Sequence, residues 1–304
     1  MNLLEAIESR ISVRTFTGQA LDGGQRARLL EPLTREGPFG TCPRTVMLGA
    51  ASVGGEAAVG ADGESKGARI GTYGIVKKPA AYLAAMVGTG GNPGPDARES
   101  DRPLFDLGFV VEGFVLEATR LGLGTCWLGG TFDKGGAAAA AGIVPGEALR
   151  ALIAVGTPAT KRALLDRFIR SAAGSADRRP VEALVRERGT NGKDGGLLAD
   201  PAVARIVEAV RRTPSASNKQ PWRLAIGRGE GSAVLMDLHL ERAPRYEKLA
   251  GYGIQALDGG IAACHAELAA VELGFAAERR TEAMEGPSPW EGSAFMLGWT
   301  LTRR

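Results

Sequence analysis

Two stretches of this chain repeat one another at a fixed spacing. Asp106-Leu107-Gly108 is matched by Asp258-Gly259-Gly260, and Leu121-Gly122-Leu123 by Leu273-Gly274-Phe275, both pairs 152 residues apart. The residues inside each stretch are apolar nearly all round. Phe109, Val110, Val111, Phe114, Val115, Leu116, Ala118 and Leu121 fill the first; Ile261, Ala262, Ala263, Leu268, Ala269, Val271 and Leu273 fill the second. A helix of that kind has no face for water and must be enclosed by other elements. Each is followed by a buried strand, Leu152–Gly156 in the first case and Phe295–Trp299 in the second. A repeat this long predicts duplication of a whole domain rather than a solenoid. Its two helices would pack about a pseudo-two-fold axis, as a homodimer does once fused. The expected division is a first half over residues 1–188 and a second over 189–304, with the Gly-rich, charged run Gly189–Gly196 as the link.

The remaining elements follow from local signals. Asn2 with Glu5, and Asp22 with Gln25, are capping boxes for two short helices. Asp106 and Asp258 are read as caps opening the two long helices, with Gly122 closing the first. Asp200 followed by Pro201 opens a helix that runs to Arg212. Strands are expected at Thr45–Leu48, Tyr82–Val87, Leu123–Leu128, Leu152–Gly156, Trp222–Ile226, Val234–Leu240 and Phe295–Trp299. Gly54–Gly67 and Gly88–Gly94 read as loops and Leu164–Ile169 as helical. Gly88–Gly94 superficially resembles a dinucleotide loop, but no helical pattern follows it directly.

Composition narrows the function classes. With 44% hydrophobic residues in 304, the chain can enclose a large core. A formal net charge of +3 is too small to argue for nucleic acid or a membrane surface. No apolar run reaches the roughly 20 residues of a spanning helix, and no basic-then-apolar leader opens the chain. Three cysteines, Cys42, Cys126 and Cys264, lie far apart without metal-ligand spacing, which fits a reducing cytoplasm and no metal site. The two histidines, His239 and His265, are read as structural, so triad and metal-hydrolase chemistry are disfavoured.

Three polar segments carry candidate chemistry. In Arg10-Ile11-Ser12-Val13-Arg14, an extended backbone puts Arg10, Ser12 and Arg14 on one side. Two guanidiniums and a hydroxyl on one face suit a phosphate or a carbonyl-rich ring edge; solvated arginines after a helix are the plain alternative. Thr213-Pro214-Ser215-Ala216-Ser217-Asn218-Lys219-Gln220-Pro221-Trp222 packs hydroxyls and carboxamides into a turn. It fits either a cradle for a flat, phosphorylated ligand or an ordinary capping turn. Gly129-Gly130, after a short strand, either lets backbone N–H groups approach a ligand or makes a tight turn.

Taken together these segments resemble the FMN-dependent nitroreductase family. Ser9–Phe16 is similar to its N-terminal Arg-x-Ser-x-Arg signature, and Pro214–Trp222 to its Pro-Ser-x-x-Asn-x-Gln-Pro-Trp motif. The first long helix running into Leu121–Gly129 also resembles the family pattern. The resemblance implies an α+β, three-layer α/β/α nitroreductase-like fold, duplicated in one chain like the family's fused, single-chain branch. The intact arginine motif lies in the first half and the intact Pro-Ser-Asn motif in the second. The early counterpart, Pro38–Arg44, lacks the Asn and Gln. One composite FMN site per chain is therefore implied, in a monomer that mimics the family homodimer. By resemblance Arg10 and Ser12 meet the phosphate side and Arg14 the pyrimidine end of the ring. Gly129 and Gly130 offer N–H groups to the hydride-accepting nitrogen. Pro214, Ser215, Ser217 and Asn218, supported by Gln220, close the site from the other half. Arg178 and Arg179 stand where the family has a Lys-x-Arg-x-Pro-like stretch, without its lysine, and Thr72 and Tyr73 are placed near the ring by position. The implied activity is ping-pong hydride transfer from NADH or NADPH through FMN to a nitroaromatic or quinone, with no side chain acting as a catalytic base. A flavin-binding protein without turnover is the alternative.

Overall fold

The computed structural model describes residues 1–49, 72, 74–88, 97–159, 177–188, 196–243 and 251–304. The expected loops at Gly54–Gly67 and, but for Gly88, Gly88–Gly94 lie outside these residues, as do the helical stretch Leu164–Ile169 and the link through residue 195.

Six α-helices are described: α1 (Leu3–Ser9), α2 (Gly23–Leu30), α3 (Ala97–Arg120), α4 (Lys134–Ala140), α5 (Pro201–Arg211) and α6 (Ile254–Glu272). Nine strands accompany them: β1 (Arg44–Gly49), β2 (Ala81–Gly88), β3 (Gly124–Leu128), β4 (Glu147–Gly156), β5 (Val185–Glu187), β6 (Trp222–Arg228), β7 (Val234–Glu241), β8 (Phe275–Arg280) and β9 (Ser293–Arg303). Both capping boxes form, with Asn2 accepting from Glu5 N and Asp22 from Gln25 N at 2.8 Å each. Asp200 caps α5, and Pro201 occupies its first turn, where a missing N–H costs nothing.

The strands form two sheets with one layout. Their orders are β1-β2-β4-β3 and β5-β6-β7-β9-β8. Without β5, which pairs in parallel with β6, the second order repeats the first element for element. Even the irregularities correspond. A bulge places Arg150 of β4 without a direct partner on β2, between the pairs Ala85↔Ala151 and Met86↔Leu149. Met296 of β9 is displaced in the same way against β7.

Helices α3 and α6 pack against each other between the sheets, enclosed by one apolar core drawn from both. Their closest approach is made by paired glycines. A methyl group on Gly108 would overlap the Leu257 carbonyl, and one on Gly260 would overlap the Phe105 carbonyl. Those two contacts interchange under the 152-residue offset. A second apolar cluster, with Tyr82, Met86, Leu152, Phe132 and Ala137, lies between the first sheet and α4. The fold is of the α+β class.

Two expectations need correction. Helix α3 begins at Ala97 rather than at Asp106, and α6 at Ile254 rather than at Asp258. The aspartates do cap backbone N–H groups, but those of a neighbouring turn. Asp106 accepts from Phe39 N at 2.9 Å and Thr41 N at 2.8 Å; Asp258 accepts from Ala216 N at 3.0 Å. Strands β5 and β8 were not expected. One is three residues long, and the other, Phe-Ala-Ala-Glu-Arg-Arg, is a charged edge strand without clean alternation.

Candidate functional site

The arginine segment is extended, as its alternation predicts. Arg10 ends α1 with φ −57° and ψ 125°, and its N–H donates to Ala6 O. Beyond it Ser12 bridges Thr125 of β3 in parallel, Val13 N donates to Thr125 O, and Lys77 N donates to Arg14 O. The backbone is thus clamped on two sides. Ile11 does not join Val13 in the core; it is 40% exposed.

Arg10 is 9% exposed, and its Nε is buried without an acceptor among the described residues. Burial pushes its pKa down, opposed by the charge of Glu112. Arg14 likewise keeps a buried Nη1 without an acceptor. A guanidinium in that state is costly unless an anion meets it.

Around Arg10 lies a cavity of about 550 Å³, lined also by Ile7, Asp177, Arg178, Arg211 and Arg212. Four cations line one hollow. Arg178 is pushed down to about 10, first by burial and then by the like charges of Arg10, Arg211 and Arg212. Arg211 and Arg212, in the last turn of α5 and just past it, are both held by Glu208, at 2.5 Å and 2.8 Å. Neither was singled out in the sequence, because cations in the last turn of a helix are expected there anyway. Their place immediately before Thr213-Pro214 was the available signal.

The Pro-Ser-Asn turn does not line this cavity; it meets it through Arg178. Three of its non-glycine residues are left-handed: Ser217 (φ 49°), Asn218 (φ 53°) and Gln220 (φ 51°). Each such residue costs about 1–2 kcal/mol, so the surroundings must hold the turn in place. They do so from several sides. Gln220 N donates to Ser215 Oγ at 2.9 Å, and Asp258 takes the Ala216 N–H from below. The two carboxamides grip the segment 177–179. Asn218 Nδ2 and Gln220 Nε2 donate to Asp177 O at 2.8 and 3.1 Å, and Gln220 Oε1 accepts from Arg179 N at 2.9 Å. Arg178 Nη1 donates to Asn218 Oδ1 at 2.5 Å. Their visible work is therefore to fix Arg178 beside Arg10.

Other expected residues fall elsewhere. The Arg179 side chain is exposed, and only its backbone is engaged. Thr72 is buried in a local turn, its hydroxyl donating to Val76 O at 3.2 Å. Tyr73 lies outside the described residues. Pro214 is half-buried and Ser217 exposed. Gly129 and Gly130 are exposed at the end of β3. A methyl group on Gly129 would sit 3.7 Å from Ile254 and 3.8 Å from the Tyr252 hydroxyl, both of the second half. No cluster of metal-ligating side chains occurs among the described residues.

Asp258 has a testable titration. It is 2% exposed, and burial pushes it up to about 8, countered only by the Ala216 N–H. Between its ordinary value of 3.8 and about 8, the folded chain holds a proton that the unfolded chain has lost. Its contribution to stability is complete below the unfolded value and is lost as pH rises through about 8. Urea denaturation of the wild type and Asp258→Asn between pH 5 and 9 should show the wild type losing stability relative to the variant as pH rises. Parallel curves would refute the assignment.

A family model described as "Putative TM nitroreductase" matches residues 73–270. The chain belongs to this family. It is a nitroreductase-type oxidoreductase. A solved structure described as a putative nitroreductase of Thermotoga maritima is 20% identical, covers 99% of this nitroreductase and 93% of its own chain, and superposes with a TM-score of 0.53. A mutant of an FMN- and NADPH-dependent nitroreductase from sphigopyxis sp. strain HMH is 16% identical over 62% of this chain and 100% of its own, with a TM-score of 0.45. No curated protein matches the sequence significantly. Among the described residues of the nitroreductase, no helix is long and apolar enough to cross a membrane.

Proposed function

We propose that this chain is an internally duplicated nitroreductase, with halves 1–188 and 189–304, that binds one FMN between them. It would pass reducing equivalents from NADH or NADPH to a nitroaromatic or quinone in ping-pong fashion. The observation that carries the reading is the pair Arg10 and Arg14, each keeping a buried donor without an acceptor among the described residues, in one clamped, extended segment.

The residues present fit the group. Arg10 and Arg178 are poised for the phosphate dianion, with Arg211 and Arg212 adding positive charge at the rim. Arg14, four residues further along the chain, would meet the pyrimidine edge, where reduction builds negative charge and a fixed cation stabilises it. The exposed N–H groups of Gly129 and Gly130 would face the hydride-accepting atom. FMN supplies the two-electron chemistry, and the chain supplies orientation and charge. The strained Pro-Ser-Asn turn would hold Arg178 in place for the phosphate.

The second-half layout has no matching arginine segment before α5, and Phe39 stands in the turn that Asp106 caps. The aromatic ring packs edge-on against Phe105, with Arg102 over its other side. One flavin per chain is therefore expected. Reconstitution followed by absorbance titration should give an FMN-to-protein ratio near one, and anaerobic NADH or NADPH should bleach the bound flavin. A ratio near two would exclude the single-site reading. A yellow protein that neither nucleotide bleaches would leave flavin binding without turnover. A fused pseudo-dimer has less need of a partner, and the proposed unit is the monomer.

A further inference from the structure

The bulge in β4 aims an arginine at a place where its structural counterpart packs a methionine. Arg150 and Met296 are the displaced residues of the two matching bulges. Met296 is 6% exposed and belongs to the core. Arg150 instead lies under the Tyr252 ring, its guanidinium carbon 5.0 Å from the ring centroid. Its Nε is buried without an acceptor among the described residues, and burial pushes its pKa down. The Tyr252 hydroxyl donates to the Arg150 carbonyl at 3.0 Å and lies beside Gly129. A bulge re-aims a side chain, and bulges gather next to functional sites. Here the re-aimed side chain is a cation at the half-to-half seam, next to the backbone expected to face the reactive edge of the flavin. The layout without the arginine motif has an apolar residue at the same point.

We propose that Arg150, held by Tyr252, binds the anionic group of the electron acceptor, so that this nitroreductase favours aromatic acceptors carrying a carboxylate. The proposal rests on the flavin-site reading above. An aromatic acid would offer its ring to Tyr252 and its carboxylate to the terminal nitrogens of the Arg150 guanidinium, a charge-assisted contact.

The test compares 4-nitrobenzoate with neutral 4-nitrobenzyl alcohol in steady-state assays of the FMN-loaded wild type, Arg150→Met and Arg150→Lys. The wild type should prefer the acid. Arg150→Met should lower kcat/KM for 4-nitrobenzoate by roughly 10- to 100-fold, the loss of one charge-assisted contact, and change the alcohol by less than about threefold. Arg150→Lys, which keeps the charge without the planar fork, should fall between. Benzoate, which cannot be reduced, should bind the wild type and not Arg150→Met in an equilibrium titration with flavin content unchanged. Equal losses for both acceptors, no preference in the wild type, or a raised KM for NADPH in place of 4-nitrobenzoate would overturn the assignment. A wild type that takes up no FMN, or is not bleached by NAD(P)H, would instead overturn the flavin-site reading itself.

Discussion

Gly260→Ala is expected to be the most damaging single-methyl addition among the described glycines. Its new Cβ would overlap the Phe105 carbonyl, a backbone atom of α3 that no rotamer change can move aside. The two central helices would have to separate along a seam that joins both sheets through one core. Overpacking ordinarily costs about 1–3 kcal/mol; where only rigid backbone can yield, a loss on the order of 4 kcal/mol is expected. Gly108→Ala, the reciprocal contact against Leu257, should cost a similar amount. Gly23→Ala, where nothing lies within 4 Å of the added methyl, is the control and should leave stability nearly unchanged. Chemical denaturation of the three variants measures this directly. A Gly260→Ala protein as stable as the control would mean that the helices are not held at that crossing.

Arg10→Ala is expected to abolish flavin retention through purification. A buried guanidinium meeting a phosphate makes charge-assisted hydrogen bonds of about 1.5–3 kcal/mol each. Losing two of them weakens binding by at least about 100-fold. Riboflavin, which lacks the phosphate, separates this from general damage. Its affinity should change little between wild type and variant, while that of FMN falls towards it. Equal weakening of both flavins would place Arg10 away from the phosphate. Unchanged affinity for both would remove it from the site.

Much of the fold could be read from residues near each other in sequence. Asn2, Asp22 and Asp200 cap their own helices, so the pattern and the contact share one turn of chain. Asp106 and Asp258 carry the same cap chemistry to turns 65 or more and 42 residues away, a distance no local pattern reports. The repeat was visible because both copies must fit the same crossing and so keep their glycines. Strand β5 was not visible, because three residues gain their order from β6 rather than from themselves. At the site, Arg10, Ser12 and Arg14 stood out through alternation and Pro214–Trp222 through its polar density. Arg211 and Arg212 read as ordinary helix-end cations until the cavity brought them beside Arg178. The role of Asn218 and Gln220 in holding segment 177–179 depends on a contact about 40 residues away in the chain. Arg150 could not be found at all, since a bulge exists only in the register between two strands.

The crossing of α3 and α6 also bears on how the chain is made. Helix α3 is buried along nearly all of residues 104–118, yet the matching helix that covers it is encoded 152 residues later. At about 5–20 residues per second, a ribosome takes on the order of 10–30 seconds to deliver the missing half. During that interval the α3 side chains that α6 covers in the folded protein have no cover from it. A free homodimer would face the same exposure and then wait for a diffusing partner, at a rate set by expression level. In this protein the cover always arrives on the same polypeptide, so the wait is fixed by translation and does not depend on concentration.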